Sequence, residues 1–226
     1  MSTRTLSRSE EDYLKTIYGL SEGGAAASTS AIAEALDIQP ASVTGMVKRM
    51  AEAGLLEHLP YRGVRLTESG TREALRVVRR HRIIETYLCE RLNYAWDDVH
   101  AEAERLEHAA SDQLIDRMAS ALQFPSHDPH GAPIPTRSGV IEATDPATLA
   151  DAQPGDRVVI RAVRDEDSDE LRSMAADGLV PGVRLLIRES QGVEGSVAVK
   201  IGDQVDEPRA VQRDLAARIY VIPDDG

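Results

Sequence analysis

Along the chain the spacing of apolar residues changes character twice. Tyr13, Ile17 and Leu20 recur at i, i+4 and i+7, the stripe of a helix over about residues 8–20. Ser21, Glu22, Gly23 and Gly24 stop it. A second helix, capped by Ser28 or Thr29, carries Ile32, Ala33 and Leu36, and the segment from Asp37 to Pro40 reads as a tight turn. A third runs from about Pro40 through Val43, Met46, Val47 and Met50 and stops at Gly54. Residues 55–59, 60–63 and 64–67 then read as strand, turn and strand, a small wing. Helical spacing resumes over about residues 70–92, 95–110 and 111–122. The Pro/His/Gly-rich stretch 125–135 reads as a turn-filled loop with His127 and His130 at its surface, and 137–151 as a polar linker. Beyond about residue 150 the period shortens: 157–163, 183–188, 197–201 and 218–222 are strands, with one short helix at 168–176. The pattern predicts a mainly α chain with small β elements. It has a winged helix-turn-helix over 1–73, a helical domain over 74–145 and an SH3-like β-barrel over 146–226.

Charge changes the picture only when it is divided. The 226 residues carry 26 Lys and Arg against 38 Asp and Glu, a net charge of -12, which on its face argues against a polyanionic partner. Residues 1–80 hold 11 basic and 10 acidic side chains, net +1, and the remainder holds 15 and 28, net -13. The acid is segregated, so the first block is free to meet DNA while the rest uses its carboxylates elsewhere. A single cysteine, Cys89, excludes an internal disulfide framework and any multi-cysteine zinc site, and it is assigned no redox role. The start of the chain lacks a signal-peptide pattern, and no apolar run approaches the roughly 18 residues of a membrane span, so a cytoplasmic protein is expected.

Helix, tight turn, helix and wing is a DNA-reading layout. The second helix of the pair would present Gln39, Pro40, Ala41, Ser42, Thr44, Gly45, Lys48 and Arg49 to a major groove. Arg62 and Arg65 on the wing suit phosphates.

A second constellation lies between His100 and His108. On a continuous helix, His100, Glu104 and His108 stack at i, i+4 and i+8, with Glu107 beside them; His81 and Glu85 pair one turn apart on the preceding helix, and Glu11 and Asp12 lie on the first. Oxygen-rich sets with one or two imidazoles suit Mn²⁺ or Fe²⁺. Enzyme motifs fail: position 104 is Glu where an inverted zinc-protease pattern needs His, Arg105 breaks the di-iron Glu-x-x-His pattern, and no phosphate loop or dinucleotide fingerprint is present. A non-enzymatic role is expected.

Several stretches together, Glu11–Tyr18, Ile32–Leu36, Pro40–Val47, Tyr61–Gly63, Arg80–Arg82 and Glu104–His108, make the chain resemble the diphtheria toxin repressor and manganese transport regulator family over essentially its whole length. The resemblance implies a homodimeric, metal-dependent transcriptional regulator of operator DNA, without an organic cofactor. Its winged helix would be followed by a helical dimerisation domain holding the metals and a C-terminal SH3-like (FeoA-type) domain. It implies a primary metal site of Asp12, Glu104, Glu107 and His108, and an ancillary site of His81, Glu85 and His100 to which Asp167 and Glu170 align as further ligands. Carboxylates replace the thioether and thiolate of the iron-sensing branch, which implies Mn²⁺ first and Fe²⁺ second. Lys15 stands where short manganese regulators carry a second Glu, which implies separated sites rather than a bridged pair. Without metal, the clustered carboxylates are expected to repel and loosen the winged helix. Three rivals fit the same residues less fully: a metal-independent winged-helix regulator sensing another ligand, a carboxylate-bridged metalloenzyme, and a metal-buffering or partner-binding module using the barrel.

Overall fold

The computed structural model describes residues 6–21, 25–142, 147–164, 167–190, 192, 195–202 and 208–224. The chain folds into two compact units, 1–82 with 104–116 and 134–142, and 83–103 with 117–133 and 143–226.

The first unit opens with α1 (Arg8–Leu20), whose start is fixed by a reciprocal capping box: Glu10 N donates to Ser7 Oγ and Ser7 N to Glu10 Oε2. Ser28 caps α2 (Thr29–Ala35) by accepting from Ala31 N at 3.1 Å. Pro40 occupies the first turn of α3 (Pro40–Glu52), where its missing N–H has no helical partner to lose. Strands β1 (Leu56–Leu59) and β2 (Gly63–Leu66) pair antiparallel to form the wing. Tyr13, Leu14 and Ile17 of α1, Ile32 of α2, Val43, Val47 and Met50 of α3, and Leu56 and Val64 of the wing bury one shared core. The apolar stripes read from the sequence are the faces that pack.

Helix α4 (Glu68–Leu92) begins where Gly70 N donates to Thr67 Oγ1 at 3.0 Å, while the same hydroxyl donates to the Gly54 carbonyl at 2.7 Å. The helix start is thereby tied to the end of α3. Two further helices follow, α5 (Val99–Leu106) and α6 (Asp112–Ala121). The expected helix over 95–110 is shorter at both ends. Ala109 N and Ala110 N both donate to the Leu106 carbonyl, closing the chain into a turn, so Glu107 and His108 leave the helix. The stacking of His100, Glu104 and His108 on one continuous face does not occur.

The second unit contains a five-stranded antiparallel sheet of order β6–β5–β4–β3–β7. Its strands are β3 (Arg157–Val163), β4 (Arg184–Ser190), β5 (Val197–Ile201), β6 (Arg209–Val211) and β7 (Ile219–Pro223), with α7 (Ser168–Ala176) and α8 (Arg213–Ala216) between them. Two strands and α7 match the sequence pattern end to end. The three-residue edge strand β6 was not legible, because three residues carry too little alternation to show a period. Ile160, Leu171, Met174, Ile187 and Val199 are among the buried residues of the second core. Among the described residues no helix is long and apolar enough to cross a membrane.

Gly70 offers a test of how the wing base packs. In an open helix Gly→Ala stabilises by about 1 kcal/mol. Here an added Cβ would meet the Leu55 carbonyl oxygen at 2.0 Å. Gly70→Ala is therefore expected to destabilise, by about 2 kcal/mol, read as a lowered midpoint in chemical denaturation.

Candidate metal centre and DNA-facing surface

Within the first unit α1 and the turn after α5 bring acidic and imidazole groups together. His108 Nδ1 donates to Glu11 Oε2 at 2.7 Å, and the other oxygen of Glu11 accepts from Arg80. That chain of contacts fixes the tautomer: the proton sits on Nδ1 and the lone pair on Nε2. Nε2 lies 2.8 Å from Asp12 Oδ1 and 3.4 Å from Glu107 Oε1, yet it is buried and makes no hydrogen bond. Two electron-rich atoms this close repel unless a cation lies between them. Donors bound at about 2.1 Å on adjacent octahedral positions stand about 3 Å apart, so Asp12, Glu107 and His108 fit a hard divalent ion.

Burial, the largest influence on Asp12, raises its carboxyl. Burial also works to raise Glu107, but the His81 hydrogen bond, 2.5 Å from Nδ1 to Oε2, and the Lys15 charge outweigh it and hold the carboxyl below its ordinary value. Lys15 reaches in from α1 with its ammonium on Glu104 Oε1 and both Glu107 oxygens. Burial disfavours that charge, yet Glu107 and Glu104 hold it above its ordinary value. The expected mutual repulsion of bare carboxylates is thus moderated by Lys15 and Arg80. Glu104 sits on the Lys15 side of the cluster, with Oε1 4.0 Å from His81 Nδ1.

In the second unit another trio converges. Glu85, on α4, and Asp128 and His130, in the loop after α6, are all buried, and they offer ligand atoms that lie within 4.8 Å of one another. His130 Nε2 donates to the Trp96 carbonyl at 2.7 Å, which leaves the lone pair on Nδ1. Asp128 Oδ1 accepts from His130 N and Ala132 N, both at 2.9 Å, and so shapes the turn that carries the imidazole. The loop is docked on β3: Val163 N donates to the His130 carbonyl, and Gly131, at φ +85°, leaves no room for a Cβ, which would meet the Arg161 carbonyl oxygen at 1.9 Å. The expectation of a surface His130 is overturned; it is fully buried. A Pro/Gly-rich loop has the composition of a solvated turn, and composition does not register the β3 backbone it docks on.

Of the ancillary residues expected from the sequence, His100 Nδ1 lies 3.3 Å from Glu85 Oε1, and His81 makes its Glu107 contact in the first unit. Asp167 caps α7, accepting from Asp169 N and Glu170 N, and Glu170 pairs with Arg218.

The residues expected to face DNA are exposed. Gln39, Pro40, Ala41, Ser42, Thr44, Gly45, Lys48 and Arg49 are all exposed along α3, as are Arg62 and Arg65 on the wing. Val43, Val47 and Met50 anchor the opposite face of α3 in the core.

Comparison with known proteins accords with this division. The family model "Iron dependent repressor, N-terminal DNA binding domain" matches residues 5–64, "Iron dependent repressor, metal binding and dimerisation domain" matches 67–136, and "FeoA domain" matches 147–223. The iron-dependent repressor IdeR of Mycobacterium tuberculosis is 34% identical over 206 residues, covering 84% of this chain and 87% of that protein. The chain belongs to the iron-dependent repressor family. Its members are metal-dependent, DNA-binding transcriptional repressors, and the family spans iron and manganese regulators. The transcriptional regulator MntR of Oceanobacillus iheyensis is 38% identical over 116 residues, 51% of this chain and 78% of that protein. Among solved structures, a manganese-dependent transcriptional repressor in complex with manganese is 35% identical at a TM-score of 0.88, covering 95% of this chain and 99% of that one.

Two outcomes follow for this repressor without metal. Because Glu107 ionises more easily folded than unfolded, it stabilises above about pH 4.5, its ordinary value, and that contribution is lost as pH falls through the depressed folded value. Glu107→Gln should flatten this part of the acid limb in urea titrations across pH. Burial, with Glu85, Glu90 and Asp128 nearby, pushes the Cys89 thiol from 9.0 to about 11. Alkylation of Cys89 at pH 8 should therefore run about a hundredfold slower than that of an ordinary thiol, followed by mass spectrometry.

Proposed function

We propose that this repressor is a cytoplasmic homodimer that responds to Mn²⁺ in preference to Fe²⁺ and represses metal-uptake genes when loaded. The observation that carries the reading is the buried His108 Nε2, aimed without a hydrogen bond at Asp12 and Glu107. The donor set is oxygen and imidazole without sulfur, which favours the harder ion. Asp12, Glu107 and His108 hold the first ion, with Glu104 as the further primary ligand. Glu85, Asp128 and His130 hold a second, with His100 beside Glu85 and His81, Asp167 and Glu170 as the remaining candidates from sequence alignment.

The bound ion supplies positive charge and directed coordination. The chain's own residues turn that into control of DNA. Asp12 lies on α1, which packs through Leu14 and Ile17 into the core shared with α3. Glu107 and His108 lie beyond α5 in the dimerisation segment. Drawing these side chains together therefore fixes the helix carrying Asp12, and with it α3, against the turn after α5. Arg80 and Glu11 orient the His108 ring so that its lone pair is already turned inward. In a dimer, two α3 helices so fixed would read half-sites about 34 Å apart or a multiple of it. A change from 1:99 to 99:1 in the competent state needs about 5.5 kcal/mol of differential metal binding.

An anaerobic DNA-shift assay with promoter DNA, titrating Mn²⁺, Fe²⁺ and Zn²⁺ separately, tests the reading. Mn²⁺ should tighten binding at the lowest free concentration. His108→Ala and Asp12→Ala should abolish the metal response, while His130→Ala should shift it to higher metal. Operator binding that no metal tightens would sink the proposal, and an Fe²⁺ response at lower free metal would reverse the preference.

A further inference from the structure

We propose that Tyr61, at the tip of the wing, is a DNA-contact residue that enters the minor groove beside the major groove read by α3 and prefers A·T base pairs there. The inference rests on the DNA-binding function of the family and is independent of which metal activates it.

Tyr61 stands against two local preferences at once. Arg62 N donates to the Leu59 carbonyl at 3.0 Å, so residues 59–62 close a β-turn between β1 and β2. Pro60 holds its second position, and Tyr61 holds the third with φ +62°. A β-turn with proline second and a left-handed residue third is type II, and its third position ordinarily carries glycine or asparagine. A tyrosine there gains nothing from its backbone. Nor does it gain from packing: its side chain is fully exposed, the most so of the large apolar side chains among the described residues. Local rules broken without a compensating contact inside the fold point to a contact outside it.

The wing presents this ring from a fixed base. Ala27 N donates to the Val64 carbonyl and Val64 N to the Ala27 carbonyl, both at 2.9 Å, which stitches β2 to the segment before α2. Gly63, at φ +107°, allows that approach, since a Cβ would meet the Ala27 carbonyl oxygen at 2.1 Å. Leu56 and Val64 share a core with Val43, Val47 and Met50, so the tip keeps a set offset from the exposed face of α3. Arg62 and Arg65, both exposed, give the tip the sign that suits phosphates. With α3 in a major groove, the adjacent groove is the minor one, about 6 Å wide. An aromatic ring entering it edge-on packs on the sugar walls, and the phenol hydroxyl donates to acceptors on the floor. A·T pairs show only acceptors there, adenine N3 and thymine O2, whereas G·C adds the guanine amino group, a second donor facing the hydroxyl. A·T tracts also narrow the groove and deepen its negative potential, which favours the flanking arginines.

The test uses the full-length protein loaded with Mn²⁺ or Fe²⁺ and a pool of randomised duplexes. The wild type should select half-sites flanked by A·T pairs. Tyr61→Gly and Tyr61→Asn, both at home at this φ, should keep the midpoint of chemical denaturation or raise it. Both should bind the wild-type duplex about tenfold more weakly and select the same half-sites without the flanking A·T preference. Tyr61→Phe should retain most of the affinity. Exchanging the flanking A·T pairs for inosine·cytosine, which presents the same minor-groove face, should leave wild-type binding unchanged, whereas G·C should weaken it. Tyr61→Gly should be indifferent to both exchanges. The role of Tyr61 is overturned if either folded variant matches the wild type in affinity and selection, or if inosine·cytosine weakens binding as much as G·C. A wild type that selects no duplex with either ion overturns the repressor reading as well.

Discussion

Concentrated negative charge is the constraint around which the first unit is arranged. Glu11, Asp12, Glu104 and Glu107 are brought together by α1 and the segment after Ala103, and each is at least partly removed from water. Such a cluster persists only with cations or protons in it. Arg80 answers Glu11, Lys15 answers Glu104 and Glu107, and the His108 proton is committed to Glu11. What is left is Asp12, with its carboxyl raised by burial, and the bare Nε2 of His108. Compensation is incomplete at these two groups, Asp12 and the His108 imidazole.

The cluster and α3 are joined by packing. The capping box at Ser7 and Glu10 sets the start of α1, and Leu14 and Ile17 lock it into a core that also holds Val43, Val47 and Met50 of α3. The exposed face of α3 and the Asp12-bearing helix thus belong to one packed body. Interiors packed at crystal-like density transmit displacement rather than absorb it. The second unit shows the same economy of means in its buried trio, where a carbonyl sets the tautomer of His130 and a docked glycine holds the loop against β3.

Much of this could be read directly. The apolar stripes of α1, α2 and α3, the wing, α7 and two strands follow from periodicity, because each buries one face and the period is local information. The candidate primary ligands Asp12, Glu104, Glu107 and His108 came from residue type and a family resemblance; the relatives bear out the family for the chain as a whole. Their arrangement did not: helical spacing suggested one face, whereas the chain turns out of α5 after Leu106 before Glu107 and His108 are placed.

Sequence by itself determined most of the helices and longer strands, that acid and base are segregated, and which chemistry is on offer. These depend on local pattern and on counting. Only the tertiary structure decided which groups neutralise one another. Lys15 is separated from Glu104 by 89 positions and from Glu107 by 92, and nothing in the spacing of a lysine on a helix states that it will point into carboxylates rather than water. Burial of His130 was equally hidden, since a Pro/Gly-rich loop has the composition of a solvated turn whether or not a sheet lies beneath it. Charge compensation and burial are properties of neighbours in space, and folding alone supplies the neighbours.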